Sequence, residues 1–132
     1  MPAMDFRYTK TTEKAIPQAV SGLISALANH KFAMLWHLDM GNKLKEKGLA
    51  FDGEFHIFEV CNAAKAKQLL DQNLEFGYLL PCKVVLYRKE GTTHIGLLRP
   101  EALIGLIGDD SVAGLAREVE EELKAVVDEA VR

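Results

Sequence analysis

The spacing of the apolar residues changes repeatedly along the chain, and the order of these changes is the feature that most restricts its fold. Alternation of apolar and polar residues, which is typical of half-buried strands, occurs at DFRYTKT (5–11) and EFHIFEVC (54–61). Spacings of three and four, which indicate amphipathic helices, occur at 16–29 and near the end of the chain. The predicted order is strand, helix, strand, strand, helix, strand, strand and then helices.

The first six of these elements follow the split βαβ, or ferredoxin-like, arrangement. Right-handed crossovers would place the first and third strands in the middle of an antiparallel sheet, with the helices on one face. Glu90-Gly91, between two strand-like runs, predicts a tight hairpin that adds a fifth strand. We therefore predict an α+β fold, a two-layer α/β sandwich that is ferredoxin-like (βαββαβ plus an extra hairpin strand) with C-terminal helices.

The helix boundaries have recognisable signals. The first helix is predicted from about Ile16 to Asn29, with Pro17 in its first turn, where a missing N–H is tolerated. Asn62 is the predicted N-cap of the second helix, and Pro100 opens a short helix after the fifth strand. The final helix carries an apolar seam: Val112, Ala116, Val119, Leu123, Val126 and Ala130.

The composition indicates one soluble domain covering residues 1–132. Hydrophobic residues make up 48% of the 132 residues and charged residues 27%, which is ordinary for a globular chain that needs no metal or disulfide for its core. The net charge of −3, with Lys43, Lys45 and Lys47 as the densest basic segment, argues against nucleic acid as a partner. The N-terminus has no apolar signal segment and no run is long enough to span a membrane, so we expect a cytoplasmic protein.

Two strands are apolar on both faces, so a second layer must cover each of them. On the second strand Phe32, Met34, Trp36 and Leu38 are predicted to share one face, with His37 on the other. The seam of the final helix either packs within the monomer or forms a subunit contact. In both cases we expect a homodimer, because it removes the exposed apolar sheet surface.

The two cysteines are the residues most suggestive of chemistry. Cys61 ends the third strand one residue before the predicted helix cap, where the helix dipole favours a thiolate, although free cysteines are more often simply packed. With the third and fourth strands parallel and separated by the first, Cys61 and Cys82 would lie at opposite ends of their strands, too far apart for a disulfide. His37 and Asp39 form a pair on one face of the second strand, away from Cys61.

Metal and cofactor motifs are absent from the sequence. It contains no CxxC or HExxH spacing, no Walker loop and no GxGxxG, so we predict no metal site and no cofactor. A site assembled from Glu59 and Cys61, which share a face, has only weak support.

Several motifs together resemble the family called domain of unknown function 302. They are Cys61-Asn62 at the end of the third strand, Leu80-Pro81-Cys82 before the fourth, and Asp39 at the end of the second. Ala63 stands where that family usually has proline. The resemblance spans nearly the whole chain. It implies a small cytoplasmic α+β domain able to dimerise, and no established activity.

Three functional hypotheses follow. The leading one is a domain that binds a small molecule near Cys61 and Asn62 at the helix N-terminus, with Glu59, Pro81, Cys82 and Asp39 as further candidate binding residues. The alternative is a thiol-dependent redox or sulfur-handling protein that uses Cys61. The second alternative is a structural homodimer or partner-binding module. Whether the protein is an enzyme, and which residues would then be catalytic, the sequence leaves open.

Overall fold

A computed structural model describes residues 5–132. Within this range the strands are β1 (Arg7–Thr12), β2 (Ala33–Asp39), β3 (Phe55–Cys61), β4 (Cys82–Lys89) and β5 (Thr92–Leu98). The helices are α1 (Ile16–Asn29), α2 (Met40–Glu46), α3 (Ala63–Gln72), α4 (Pro100–Ile107) and α5 (Ala113–Ala130), with short 3₁₀ segments at Leu74–Leu79 and Asp110–Val112. The prediction about an N-terminal signal segment falls partly on residues 1–4, outside the described residues.

The five strands form an antiparallel sheet with the order β1-β5-β4-β3-β2. The α+β character is confirmed, but the ferredoxin-like strand order is wrong. In the structure β1 lies at one edge, where it pairs with β5, and β3 pairs directly with β4. The sequence interpretation treated each strand–helix–strand unit as a crossover between parallel strands near the centre of the sheet.

Two connections explain the difference. Helix α3 and the 3₁₀ segment after it bring the chain back to the end of the sheet where β3 finishes. Strand β4 therefore begins beside the end of β3 and runs antiparallel to it. Helix α1 instead joins the two edge strands. Its 14 residues are about 21 Å long, and five strands spaced by about 4.8 Å span about 19 Å, so one helix can cross the whole sheet.

Helices α1 and α5 cover one face of the sheet and form the main core with it. The helices contribute buried residues such as Leu23, Leu27, Leu123 and Val126. The sheet contributes Phe58, Val60, Val84, Leu86, Ile95 and Leu97. The apolar seam of α5 therefore packs within the chain, which was one of the two predicted alternatives. A smaller core lies beyond the sheet, where Phe76 meets Ile104, Val112 and Ala116.

The predicted local signals are confirmed at most boundaries. Helix α1 has the predicted bounds, and Asn62 caps α3 by accepting a hydrogen bond from the backbone N–H of Lys65 at 3.2 Å. Glu90 and Gly91 both adopt positive φ, at 53° and 79°, as a tight two-residue hairpin requires. In the segment GNKLKEKGLAFDG (41–53), for which the sequence suggests a loop with one helical turn, α2 covers residues 41–46.

An irregularity in β2 changes which residues share a face. The register between β2 and β3 shifts between Met34 and Trp36. Met34 packs against the main core, whereas Trp36 is 48% exposed and lies opposite Glu59 on the other face. The predicted single row from Phe32 to Leu38 is therefore broken in two, because a bulge inserts one unpaired residue and inverts the alternation after it.

A bilayer-spanning helix is absent from residues 5–132, since none combines the length and the apolar character that a span needs.

Candidate functional site

A cavity of about 390 Å³ lies at the end of the sheet where β3 finishes and β4 begins. Its lining comes from α3 and the 3₁₀ segment Leu74–Leu79, and from α4 and the first half of α5. Most of the lining is apolar: Phe32, Ala66, Leu69, Leu79, Leu80, Pro81, Leu98, Pro100, Leu103, Ile104, Leu115, Ala116 and Val119. A cavity of this size is in the range of small-molecule sites.

The polar lining groups come from the sheet end and the start of α3. They are Glu59, Cys61, Asn62, Lys65 and Lys83. Lys65 is held by Glu118 of α5, with 2.6 Å between its Nζ and a carboxylate oxygen, so this ion pair ties α3 to α5 beside the cavity. Asn62 uses its Oδ1 for the helix cap, which leaves its Nδ2 amide group to donate to a ligand.

The prediction that the two thiols lie at opposite ends of the sheet is wrong. Because β3 and β4 are antiparallel neighbours, Val60 lies opposite Cys82, and Cys61 is the next residue along β3. Both cysteines line the cavity. Strand alternation nevertheless places Cys82 on the core side with Val60 and Cys61 on the other side, and no disulfide joins the two. A bond between them would need backbone movement.

Both thiols are less acidic than an ordinary cysteine. Burial raises the pKa of Cys82 to about 11, with a further contribution from the nearby Cys61. Burial also raises the pKa of Cys61. A higher pKa means a smaller thiolate fraction at neutral pH, and the thiolate is the nucleophile. The position of Cys61 before α3 suggested the opposite shift from the sequence, because the extent of its burial could not be known.

The predicted candidate residues separate into two places. Glu59, Cys61, Asn62, Pro81 and Cys82 all line the cavity. Asp39 does not: it lies at the opposite end of β2, where it pairs with His56 and caps α2 by accepting a hydrogen bond from the Asn42 N–H at 2.9 Å. The sequence grouped these residues by motif and, for Glu59, by its strand face, and only the strand register shows where each of them lies.

A histidine pair lies at this second place. His37 Nε2 and His56 Nδ1 are 2.9 Å apart, and His37 stacks on Phe58. His56 is 7% exposed, and its Nε2 has no partner among the described residues. Burial lowers the pKa of His37, as does the neighbouring His56, while Asp39 acts in the opposite direction. From the sequence alone His56 has no evident partner, because pairing it with His37 requires the register of β2 on β3.

The sequence predicts the short helix that begins at Pro100, but not that this helix forms part of a cavity wall or which group holds it there. The run ALIGLIG (102–108) belongs to this helix and its C-cap. In the structure Leu103 and Ile104 from this run line the cavity. Glu120 of α5, whose side chain is 0% exposed, accepts hydrogen bonds from the first residues of this region, at Arg99 Nε and the Glu101 N–H. An acidic residue within a mostly apolar helix face was the available signal.

Comparisons with known proteins identify a matching family and a similar solved structure. The family model described as Domain of unknown function DUF302 matches residues 8–130. The crystal structure of an uncharacterized conserved protein DUF302 from Bacillus stearothermophilus is similar to this chain, with 36% sequence identity and a TM-score of 0.93. That match covers 98% of this chain and 100% of the other. No curated protein matches the chain.

Proposed function

Since the chain belongs to the Domain of unknown function DUF302 family, whose name states no activity, we propose a function from the cavity: the protein binds a small molecule with an apolar body and one polar end. The observation that carries the proposal is the origin of the lining side chains. Helices α4 and α5 contribute only apolar side chains, whereas the charged, amide and thiol groups all come from the sheet end and the start of α3. Ligand sites typically combine a mostly apolar wall with a few polar groups that fix orientation.

The polar end of the ligand would be bound by Cys61, Asn62 and Lys83. The Asn62 amide donates hydrogen bonds, Lys83 supplies a positive charge, and the protonated Cys61 thiol offers a small, polarisable contact. Pro81 and Cys82 line the same cavity and would contact the ligand. In this role the cysteines contact the ligand and need not react with it.

Filling the cavity should weaken the binding of an apolar probe with an anionic end, such as anilinonaphthalene sulfonate. Ala66 lines the cavity from α3, and Ala66→Trp would place an indole in the ligand's space. We expect saturable binding to the wild type, and affinity at least ~10-fold weaker in the variant, a change of about 1.4 kcal/mol. The measurement is a fluorescence titration on folded protein, checked by circular dichroism.

Ala64→Trp is the matched control, because Ala64 is an exposed residue of the same helix outside the cavity. It should bind the probe as the wild type does. Equal affinity in the folded Ala66→Trp variant, or no saturable binding to the wild type, would contradict the proposal.

The redox alternative requires a Cys61 thiol that is acidic enough to react near neutral pH, whereas the binding proposal does not. Because burial raises its pKa, alkylation by iodoacetamide in a Cys82→Ser background should be slow at pH 7 and should continue to accelerate above the ~8.5 of a free thiol. The measurement is the labelling rate by mass spectrometry as a function of pH, with Cys61→Ser confirming the labelled site. Rapid labelling with a midpoint well below pH 8.5 would instead favour a nucleophilic Cys61.

A further inference from the structure

The charged groups that line the cavity carry both signs. Glu59 of β3 lies directly opposite Lys83 of β4, and both residues line the cavity. Lys65 belongs to the lining as well, but its ammonium group is already paired with Glu118 at 2.6 Å. Apart from that ion pair, the lining therefore presents one carboxylate and one ammonium group, on neighbouring strands.

The Glu59 carboxylate and the Lys83 ammonium group have no ionic partner of their own. Within residues 5–132 neither takes part in an ion pair, although side chains at directly opposite positions have Cβ atoms only about 5 Å apart. Glu59 is half-buried. A charge that loses its remaining water without gaining a partner is costly, so an occupant that covers Glu59 must supply a cationic group.

The neutral polar groups of the lining favour an anionic group beside that cationic one. Asn62 uses its Oδ1 for the helix cap, so its Nδ2 group is the part that remains to donate. Burial raises the pKa of the Cys61 thiol, which therefore adds no negative charge near neutral pH. With Lys83, these groups offer donors to an anion next to the position where Glu59 accepts from a cation.

The rest of the lining limits the size and the polarity of the occupant. Helices α4 and α5 contribute apolar side chains, including Leu103, Ile104, Leu115 and Val119. The volume of about 390 Å³ lies near the lower end of the range for small-molecule sites, ~300–1,000 Å³. The occupant is therefore small, with an apolar body and both charges at one end.

Given the binding function proposed above, on which this assignment rests, we infer that the ligand is a free α-amino acid with an apolar side chain. Such a molecule carries its ammonium and carboxylate groups on the same carbon, so it pairs with Glu59 and Lys83 at once. The Asn62 amide donates to the same carboxylate, and the apolar side chain packs against α4 and α5. A simple carboxylic acid is disfavoured, because it leaves Glu59 unpaired and brings a like charge beside it.

Analogues that lack one charged group test this assignment on the wild type. L-Phenylalanine should bind at least ~10-fold more tightly than hydrocinnamate, which lacks the ammonium group, and than phenethylamine, which lacks the carboxylate, because each analogue loses one charged hydrogen bond. L-Leucine should exceed isocaproate and isoamylamine in the same way. The measurement is isothermal titration calorimetry. Analogues that bind as tightly as the amino acids would overturn the assignment.

Removing one charge of the protein should change the affinities of these ligands in opposite directions. Glu59→Gln should weaken L-phenylalanine at least ~10-fold and leave hydrocinnamate bound no more weakly than in the wild type. Lys83→Gln should weaken L-phenylalanine and hydrocinnamate but not phenethylamine. Glu121→Gln is the matched control, because Glu121 is 66% exposed and lies outside the cavity, and it should change none of the affinities. Circular dichroism verifies that each variant is folded.

Failure of this assignment is distinguishable from failure of the binding function. Saturable binding of anilinonaphthalene sulfonate that Ala66→Trp weakens, with no binding of either amino acid, would overturn the amino-acid assignment and leave the binding function intact. Loss of both results would overturn both. Displacement of the fluorescent probe by L-phenylalanine or L-leucine, but not by their singly charged analogues at the same concentration, is the result that supports both.

Discussion

Replacing Glu120 by alanine is expected to lower the free energy of unfolding by about 3 kcal/mol at pH 7. The Glu120 carboxylate is fully buried and accepts hydrogen bonds from Arg99 Nε at 3.0 Å and from the Glu101 N–H at 3.1 Å, with Lys124 Nζ at 3.2 Å. Its removal leaves a backbone N–H and two cations without their shared partner. Since Arg99 and Lys124 keep some contact with water, the loss should fall at the lower end of that for broken buried pairs.

The effect should depend on pH in a defined direction. Burial acts to raise the pKa of Glu120, but the bonds from Glu101, Arg99 and Lys124 outweigh it, so the pKa is lowered on folding. A carboxylate whose pKa falls on folding contributes stability above its unfolded value of ~4.3. That contribution is lost as the pH drops through the folded value. The difference between wild type and variant should therefore be largest near neutrality and shrink in acid.

Urea denaturation at pH 7 and at pH 3 measures both effects. Glu121→Ala is the control, because Glu121 is the next residue of α5 and its side chain is 66% exposed. It should change the stability by less than about 1 kcal/mol. Equal losses at positions 120 and 121, or a loss at position 120 that stays constant down to pH 3, would contradict the assigned role. Because Glu120 fixes the first turn of α4, its loss should also weaken probe binding in the cavity.

The local elements were largely predictable because their signals are local. Three such signals are the apolar spacing of 16–29, the asparagine before α3 and the Glu90-Gly91 turn. Each depends only on residues that are close together in the sequence. The strand order was not predictable in this way. A strand, a helix and a second strand can join parallel or antiparallel neighbours, and the choice depends on how α1 crosses the sheet and how the 3₁₀ segment after α3 returns the chain.

The candidate site was predictable to a similar extent. The motifs directed attention to Cys61, Asn62, Pro81 and Cys82, and the structure places all four around one cavity. What the sequence could not supply is how the two thiols lie relative to each other, since that follows from the register of β3 on β4. The acidity of Cys61 was equally inaccessible. Helix position favours the thiolate and burial opposes it, and only the burial is decided by distant parts of the chain.

Phe58→Ala is expected to destabilise the fold by about 3–5 kcal/mol, because it removes a fully buried aromatic side chain and leaves a cavity. Phe58 lies on β3 between β2 and β4, within the core formed with α1 and α5. It also supports the His37 ring, whose centroid is 4.3 Å away. The variant should therefore disturb the hydrogen bond between His37 and His56 in addition to the packing.

The control for this variant is Phe6→Ala. It is the same substitution at a side chain that is 56% exposed and lies outside the core. Its cost should stay below about 1 kcal/mol. Urea denaturation at one fixed protein concentration gives both values, since a dimer would make the apparent stability depend on concentration. A similar cost at both positions would mean that β3 does not bury its even-numbered residues. In that case the assignment of alternate β3 side chains to a core side and an opposite side would also be wrong.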